Sequence, residues 1–300
     1  MNIAVRGLNW QPGDEIVTTT LEHEGGRLPV YAVARRFGLT LRVVDLGIGD
    51  GDMAGKIATA LSPRTRLVVV SHVSWKSGAV LPLAEIAEAA HRVGALVAVD
   101  GAQSAGAFPV NVQELNVDMY SVPGQKWLCG PEGVGALYVR RERVSDLAPT
   151  FVGFFSLRDF TAMDLSGYFI PAPGARRYEV GTVYWPALFG MRESLRWLEE
   201  EAGYGWIFEQ TQAITRRCRE MLADLPGTMI HSPAEHAGLM AFSVAGMEAQ
   251  AAVDELAEMG VVIRPVHDPA WLRVSTGFFN NDVDLIRLRD GLTTLSARRQ

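Results

Sequence analysis

Cysteine is nearly missing from this 300-residue chain: only Cys129 and Cys218 occur. Two thiols so far apart make neither a disulfide framework nor a metal-ligand spacing, and a cytoplasmic protein is expected. No apolar stretch reaches membrane-spanning length, and the first residues lack the basic, apolar and small-residue zones of a secretion signal. Positive charge is scarce as well, with 28 Lys and Arg against 34 Asp and Glu and a net charge of -6. Without a basic stripe interleaved with aromatics, a nucleic-acid surface is not expected. No GxGxxG follows the first strand-like run, which argues against a nicotinamide-dependent dehydrogenase. Internal repeats, low-complexity tracts and a tight set of metal ligands are lacking too.

What remains is an ordinary folded composition, 48% apolar and 21% charged, long enough for one large domain or a large and a small one. Residues 2–10 read as the back end of a helix, and Gln11-Pro12-Gly13-Asp14 as a turn. Strand and helix signals then alternate. EIVTTT is a strand, Leu28–Phe37 a helix stopped by Gly38, TLRVVDL a strand, and DMAGKIATAL a helix ended by Ser62-Pro63. TRLVVVSHV is a continuous apolar strand of the kind covered on both faces. The helix from Pro82 to Val93 lays Leu83, Ile86, Ala87 and Ala90 toward a sheet. ALVAVD, VDMYSV and GVGALYVRR are further strands. Such repeats of strand and helix imply a mostly parallel sheet in a three-layer α/β/α arrangement.

From Ser145 to Val180 the pattern turns irregular and rich in aromatics and glycine, as functional loops do. Helices are expected at Pro186–Ala202, Tyr204–Leu222, Gln250–Met259 and Val283–Leu295, with strands at Leu239–Val244, VVIRPV and WLRVST. This tail reads as a small C-terminal α+β domain over residues 201–300, and residues 1–200 as the large one.

The chemistry concentrates between Ala95 and Lys126. Asp100 ends an apolar strand in VAVDGAQSAG, and Lys126 follows another in PGQKWLCGPEG. Both then project from strand ends on one side of the sheet, where open α/β sheets bind ligands. A carboxylate placed there can hold a heteroaromatic nitrogen protonated, and a lysine can form an imine with an aldehyde; together they describe a pyridoxal phosphate site. An isolated lysine in a turn is usually a surface group, but Gly124, Gly130 and Gly133 permit close backbone approach around this one. Gln103 can donate to the cofactor's phenolic oxygen. His23, after EIVTTT, can stack on the ring and keep a nitrogen for proton transfer. Arg273, within the apolar run WLRVST, needs an acceptor: an internal ion pair or the carboxylate of a substrate, with Arg264 competing for the second role.

At these residues the chain resembles the class V aminotransferases, fold-type-I pyridoxal phosphate enzymes that include cysteine desulfurases, isopenicillin N epimerase-like proteins and carbon–sulfur lyases. The resemblance runs over nearly the whole chain and is carried by SHVSWKSGAVLP, VAVDGAQSAGAFPV and PGQKWLCGPEGVGALYV. It implies that Lys126 is the imine lysine, Asp100 pairs with the pyridine nitrogen, Gln103 faces the phenolic oxygen, His23 stacks on the ring and Arg273 takes an amino acid's carboxylate. RRYEVGT resembles a segment whose glycine and threonine, here Gly181 and Thr182, reach the phosphate in the neighbouring subunit. A homodimer with shared active sites is therefore expected.

The departures from the pattern set further expectations. About eighty N-terminal residues of a family member, with the phosphate-cradling turn, are expected to be missing, leaving Asn2–Arg6 as the tail of the phosphate helix. Trp75 stands where many members have asparagine, Gln125 replaces a histidine, and Pro123 a serine. No cysteine follows Arg264 in RPVHDPAW, and Cys129 lies too near Lys126 to replace it. Cysteine desulfuration through a persulfide is accordingly disfavoured. The expected activity is that of an epimerase-like or lyase-like enzyme on a small amino acid, and the alternative is a non-catalytic remnant that binds a partner.

Overall fold

The computed structural model describes residues 1–267 and 270–299. A short helix, α1 (Asn2–Arg6), precedes a strand–helix series: β1 (Glu15–Thr19), α2 (Glu24–Phe37), β2 (Thr40–Val44), α3 (Met53–Ala60), β3 (Thr65–Ser71), α4 (Leu83–Arg92), β4 (Leu96–Asp100), β5 (Met119–Pro123) and β6 (Gly135–Val139). The six strands form one sheet in the order β2-β1-β3-β4-β5-β6. All neighbours run parallel except β6, which returns antiparallel to β5 through the short connection that carries Lys126.

Alternation along the strands makes the layers. Val68, Val70, Val97 and Val99 face one side, where they pack with Ile57 of α3 and Ile86 of α4. Leu67, Val69, Leu96 and Ala98 face the other, against Val30 and Val33 of α2 and Val5 of α1. Burial on both faces explains why these strands read as unbroken apolar runs.

The second sheet has the order β7-β8-β10-β9, all antiparallel: β7 (Thr228–Ile230), β8 (Leu239–Val244), β9 (Arg264–His267) and β10 (Ala270–Ser275). Its core of Met240, Phe242, Leu272 and Val274 packs with Cys218 of α6 (Tyr204–Ala223), Leu256 of α7 (Ala249–Glu258) and Leu288 of α8 (Asp282–Arg299). The three-layer α/β/α fold with a smaller α+β part is thus as read from the residues. No helix among the described residues is long and apolar enough to cross a membrane.

Several elements differ in extent. α2 starts at Glu24 rather than Leu28: His23 caps it, accepting the Gly25 N–H at 3.0 Å, and packing of its apolar face overrides the poor helix propensity of Gly25 and Gly26. The stretch after Ser145 contains only short 3-10 turns, at Phe154–Ser156 and Gly174–Tyr178, before α5 (Trp185–Arg196). The expected helix to Ala202 is completed by a π-helical turn at Trp197–Ala202. β7 is a short strand without a clear alternating pattern in the sequence, and β9 is shorter than VVIRPV suggests.

Candidate functional site

A cavity of about 580 Å³ opens at the C-terminal ends of the parallel strands. β1 leads to His23, β3 to Trp75, β4 to Asp100 and Gln103, and β5 to Gln125 and Lys126, and all six line it together with Arg264 and Arg273 from the second sheet. The parallel direction of β1, β3, β4 and β5 is what brings groups a hundred residues apart to one edge.

Asp100 is nearly buried, and the Ala102 N–H donates to its Oδ1 at 2.9 Å, which leaves Oδ2 for a ligand. Burial holds the Lys126 amine below the usual lysine range; Asp100 opposes that shift, while Arg273 and Arg264 add to it. An amine that gives up its proton readily is the form that attacks an aldehyde. Gln103 Oε1 accepts from Trp127 Nε1 at 2.9 Å. Because an indole can only donate, the amide orientation follows, and the NH2 of Gln103 is its free end.

The Gly25 N–H donates to His23 Nδ1 and so places the ring proton of neutral His23 on Nε2, which is 3.5 Å from Glu24 Oε2. Trp75 meets the His23 ring edge-on at 5.2 Å and donates from Nε1 to the Glu22 carbonyl at 3.1 Å. Its indole N–H is thereby spent on the backbone, so Trp75 offers the cavity a wall rather than the amide of an asparagine.

Arg273 donates from Nη1 to the Trp75 carbonyl at 2.8 Å and lies over the Trp75 ring at 5.8 Å. Its Nε is buried without a hydrogen-bond partner, and among the described residues no carboxylate pairs with it. Burial, with Arg264 directly across β9 and β10, lowers the guanidinium to about 10. A desolvated cation that lacks an anion is a site for one. Gly181 and Thr182 do not line the cavity of their own chain, and Thr182 is exposed. Among the described residues no group of three or more His, Cys, Asp and Glu could hold a metal ion.

Two buried groups escaped the sequence reading. Glu22, fully buried, accepts from Thr19 Oγ1 and from Ser71 Oγ, each at 2.7 Å, and burial pushes its carboxyl up to about 7. His72 Nδ1 and Ser104 Oγ both reach the Tyr120 hydroxyl, at 2.8 and 2.5 Å, behind the Asp100–Gln103 loop. Burial lowers His72 to about 4, so it is neutral, and raises the Tyr120 hydroxyl. The acidic residue just before His23 in LEHEGG was the available signal for the first; the second pairs residues too far apart in sequence to suggest each other.

Residues 1–285 match the Aminotransferase class-V family profile. A probable cysteine desulfurase of Mycolicibacterium paratuberculosis is 34% identical over 258 residues, covering 86% of this chain and 37% of that protein. Among solved structures, the cystine C–S lyase C-DES, in complex with its product cysteine persulfide, superposes with a TM-score of 0.89 at 33% identity, over 97% of this chain and 78% of that one. The cysteine desulfurase CsdA of Escherichia coli superposes with a TM-score of 0.90 at 25% identity, over 100% of this chain and 77% of that one.

These matches correct two expectations. On the first, the expected loss of some eighty residues, the match to the family runs from residue 1 to residue 285, and 97 to 100% of the chain lies on the solved structures, of which it covers 77 to 78%. Of the expected epimerase-like or lyase-like activity only the lyase-like half agrees with these relatives, and the disfavour shown to cysteine desulfuration and the non-catalytic alternative are overturned by relatives that are cysteine desulfurases and a cystine C–S lyase. The disfavour rested on the missing loop thiol in RPVHDPAW, which a persulfide route uses as its nucleophile; elimination breaks the Cβ–S bond with a base at Cα and a departing sulfur and requires no enzyme thiol.

Proposed function

This chain belongs to the class-V aminotransferase family, and from that premise we propose that it cleaves the C–S bond of a small sulfur-containing amino acid of the cysteine or cystine type. It is a pyridoxal-phosphate-dependent enzyme of this fold. The observation that carries the reading is the meeting, in one cavity, of a lysine amine held below its usual range by burial, a buried carboxylate at a strand end, and an arginine that pairs with no carboxylate among the described residues.

The residues present fit the cofactor. Lys126 would hold it covalently, Asp100 would accept from its protonated ring nitrogen, and the free NH2 of Gln103 would donate to its phenolic oxygen. Gln125 lines the same wall as a donor for the phosphate, where Pro123 has none to offer. When bound, the cofactor withdraws electrons from the bonds around the substrate's Cα. Arg273 takes the α-carboxylate through its fork of N–H groups, with Arg264 beside it, and so points Cα–H toward Lys126. Displaced from the cofactor by the substrate's amino group, the Lys126 amine would remove the Cα proton as the Cβ–S bond breaks, and the sulfur would leave with the bonding electron pair. His23, with its proton on Nε2 and its edge against Trp75, closes the side of the cavity.

Assembly as a homodimer belongs to the same reading. Phe151, Phe154, Phe160, Leu165, Tyr184 and Trp185 are all more than half exposed between residues 151 and 185, a concentration of apolar surface typical of an interface. Gly181 and Thr182 lie in that stretch, which supports their contact with a partner's cofactor. A cytosolic location is consistent with two cysteines that are both free.

The test is incubation of pyridoxal-phosphate-loaded protein with cysteine, with cystine and with sulfur-free amino acids. Sulfide or persulfide should appear from the sulfur compounds only, and not with Lys126→Ala. Turnover confined to sulfur-free amino acids would overturn the assignment.

A further inference from the structure

A second carboxyl group stands behind Asp100. Glu22 lies in the turn between β1 and α2, and its two oxygens accept from hydroxyls on different strands, Thr19 of β1 and Ser71 of β3. Ser71 is the register partner of Asp100 across β3 and β4. A Cβ placed on Gly26 would lie 3.6 Å from Asp100 Oδ2 and 3.9 Å from Glu22 Oε2, so both carboxyl oxygens flank one point at the start of α2. The Glu22 carbonyl also receives the Trp75 indole, and the next residue is His23. One buried residue, through its side chain, its carbonyl and its place in the chain, is thus joined to the supports of three cavity walls.

Among the described residues, the surroundings of Glu22 offer it no cation. Asp100, from β4, acts on it as a like charge. His72, just after β3, is neutral and bonded to Tyr120. His23 and Glu24 neighbour it in the chain, with His23 Nδ1 committed to the Gly25 N–H and Nε2 close to Glu24. The Met1 amino group acts on Asp100, and Lys126, Arg273 and Arg264 lie on the cavity side. Asp100 has cationic amines within reach of its field and Glu22 has only a like charge beside it, so the fully enclosed Glu22 retains its proton more easily.

We propose that Glu22 is a positioning residue that acts through Asp100, keeping its proton while Asp100 faces the cavity alone and releasing it when a protonated ring nitrogen docks on Asp100. The inference rests on the pyridoxal phosphate reading above. The positive charge brought to Asp100 relieves the repulsion between the two carboxyl groups, so cofactor uptake and loss of the Glu22 proton favour each other. The added negative charge then strengthens the hold of Asp100 on the ring nitrogen.

Glu22→Gln retains the size and hydrogen-bonding capacity of the side chain but not its ionisation. In cofactor-free protein the raised Glu22 carboxyl makes the folded state bind its proton more tightly than the unfolded chain does. Wild-type stability should therefore fall, relative to Glu22→Gln, as pH rises from 4.5 to about 7. Unfolding midpoints that stay parallel over this window would overturn the proposal. On titration with pyridoxal phosphate just below pH 7, in buffers of low and high ionisation enthalpy, wild type should release up to about one proton more than the variant. Equal proton counts would also overturn it. Difference infrared spectra of the wild type check the same step without a substitution: a protonated carboxyl band should disappear on cofactor addition, and a persistent band counts against the coupling. Diverging midpoints with no cofactor binding at all would sink the functional reading while the carboxyl pair stood.

Discussion

Lys126 and Arg273 are both lowered by the same cause, removal from water, and the consequences differ because an amine gives up its proton more readily than a guanidinium. Lys126 has its amine lowered by burial and partly restored by Asp100. Its neutral form therefore accumulates, as pH rises, earlier than that of a surface lysine. Replacing Asp100 by Asn removes the opposing charge, so the pH profile for attaching pyridoxal phosphate should move to still lower pH, as followed by the growth of visible absorbance. Lys126→Ala should lose that absorbance entirely while keeping the far-ultraviolet circular dichroism of the parent. An unchanged visible band in Lys126→Ala would refute the assignment. Arg273 stays charged, and its Nε lacks a partner among the described residues. Arg273→Ala should raise the KM for the amino acid by about 30-fold or more, corresponding to roughly 2 kcal/mol or above, with the visible band retained. Arg264→Ala, which alters an exposed side chain, should have the smaller effect.

The elements are joined to the site at close backbone contacts. Gly78 has φ +76°, and a Cβ there would stand 1.9 Å from the Leu239 carbonyl at the start of β8. Gly78 also accepts the Ala237 N–H at 2.9 Å, so the loop that carries Trp75 is stitched to the second sheet at this residue. No side chain fits, and the left-handed backbone penalises one independently. Gly78→Ala should lower stability by about 1–3 kcal/mol, or very roughly 2–10 °C in Tm for a chain of this size. It should also raise the KM, because Arg273 holds the Trp75 carbonyl. A variant with parental Tm and kinetics would show the contact to be unimportant. Gly101 has a comparable restriction from the Tyr120 ring, 2.1 Å from where its Cβ would be, which explains the glycine after Asp100.

At the scale of the molecule, exposed aromatic side chains concentrate between residues 151 and 185, as they do at protein interfaces. Sedimentation should give twice the chain mass. Phe154→Asp together with Phe160→Asp should shift the protein toward monomer, because two charges enter an apolar contact. Thr182→Ala, in contrast, should weaken cofactor binding with little change in mass. A monomer that binds pyridoxal phosphate as tightly as the parent would refute the shared site.

Apolar runs such as LVVV and LVAV determined the layered parallel sheet locally, since strands buried on both faces need no partner to be recognised. Asp100, Gln103 and Lys126 were legible for a related reason: their side chains follow strand ends, and parallel strands deliver all such ends to one edge. His23 could be placed at that edge but not identified as the cap of α2, because capping depends on where packing begins the helix. Trp75 was readable as a departure, whereas the spending of its N–H on a carbonyl was not. Glu22 between Thr19 and Ser71, and His72 on Tyr120, pair groups separated by up to 49 positions. The burial that shifts their protonation is set by the assembled layers rather than by any neighbour in the chain. Arg273 shows the division most plainly: an arginine in an apolar strand demands an acceptor, and only the folded arrangement decides that Arg264 lies opposite, that the Trp75 carbonyl takes one N–H, and that Nε is buried with no partner among the described residues.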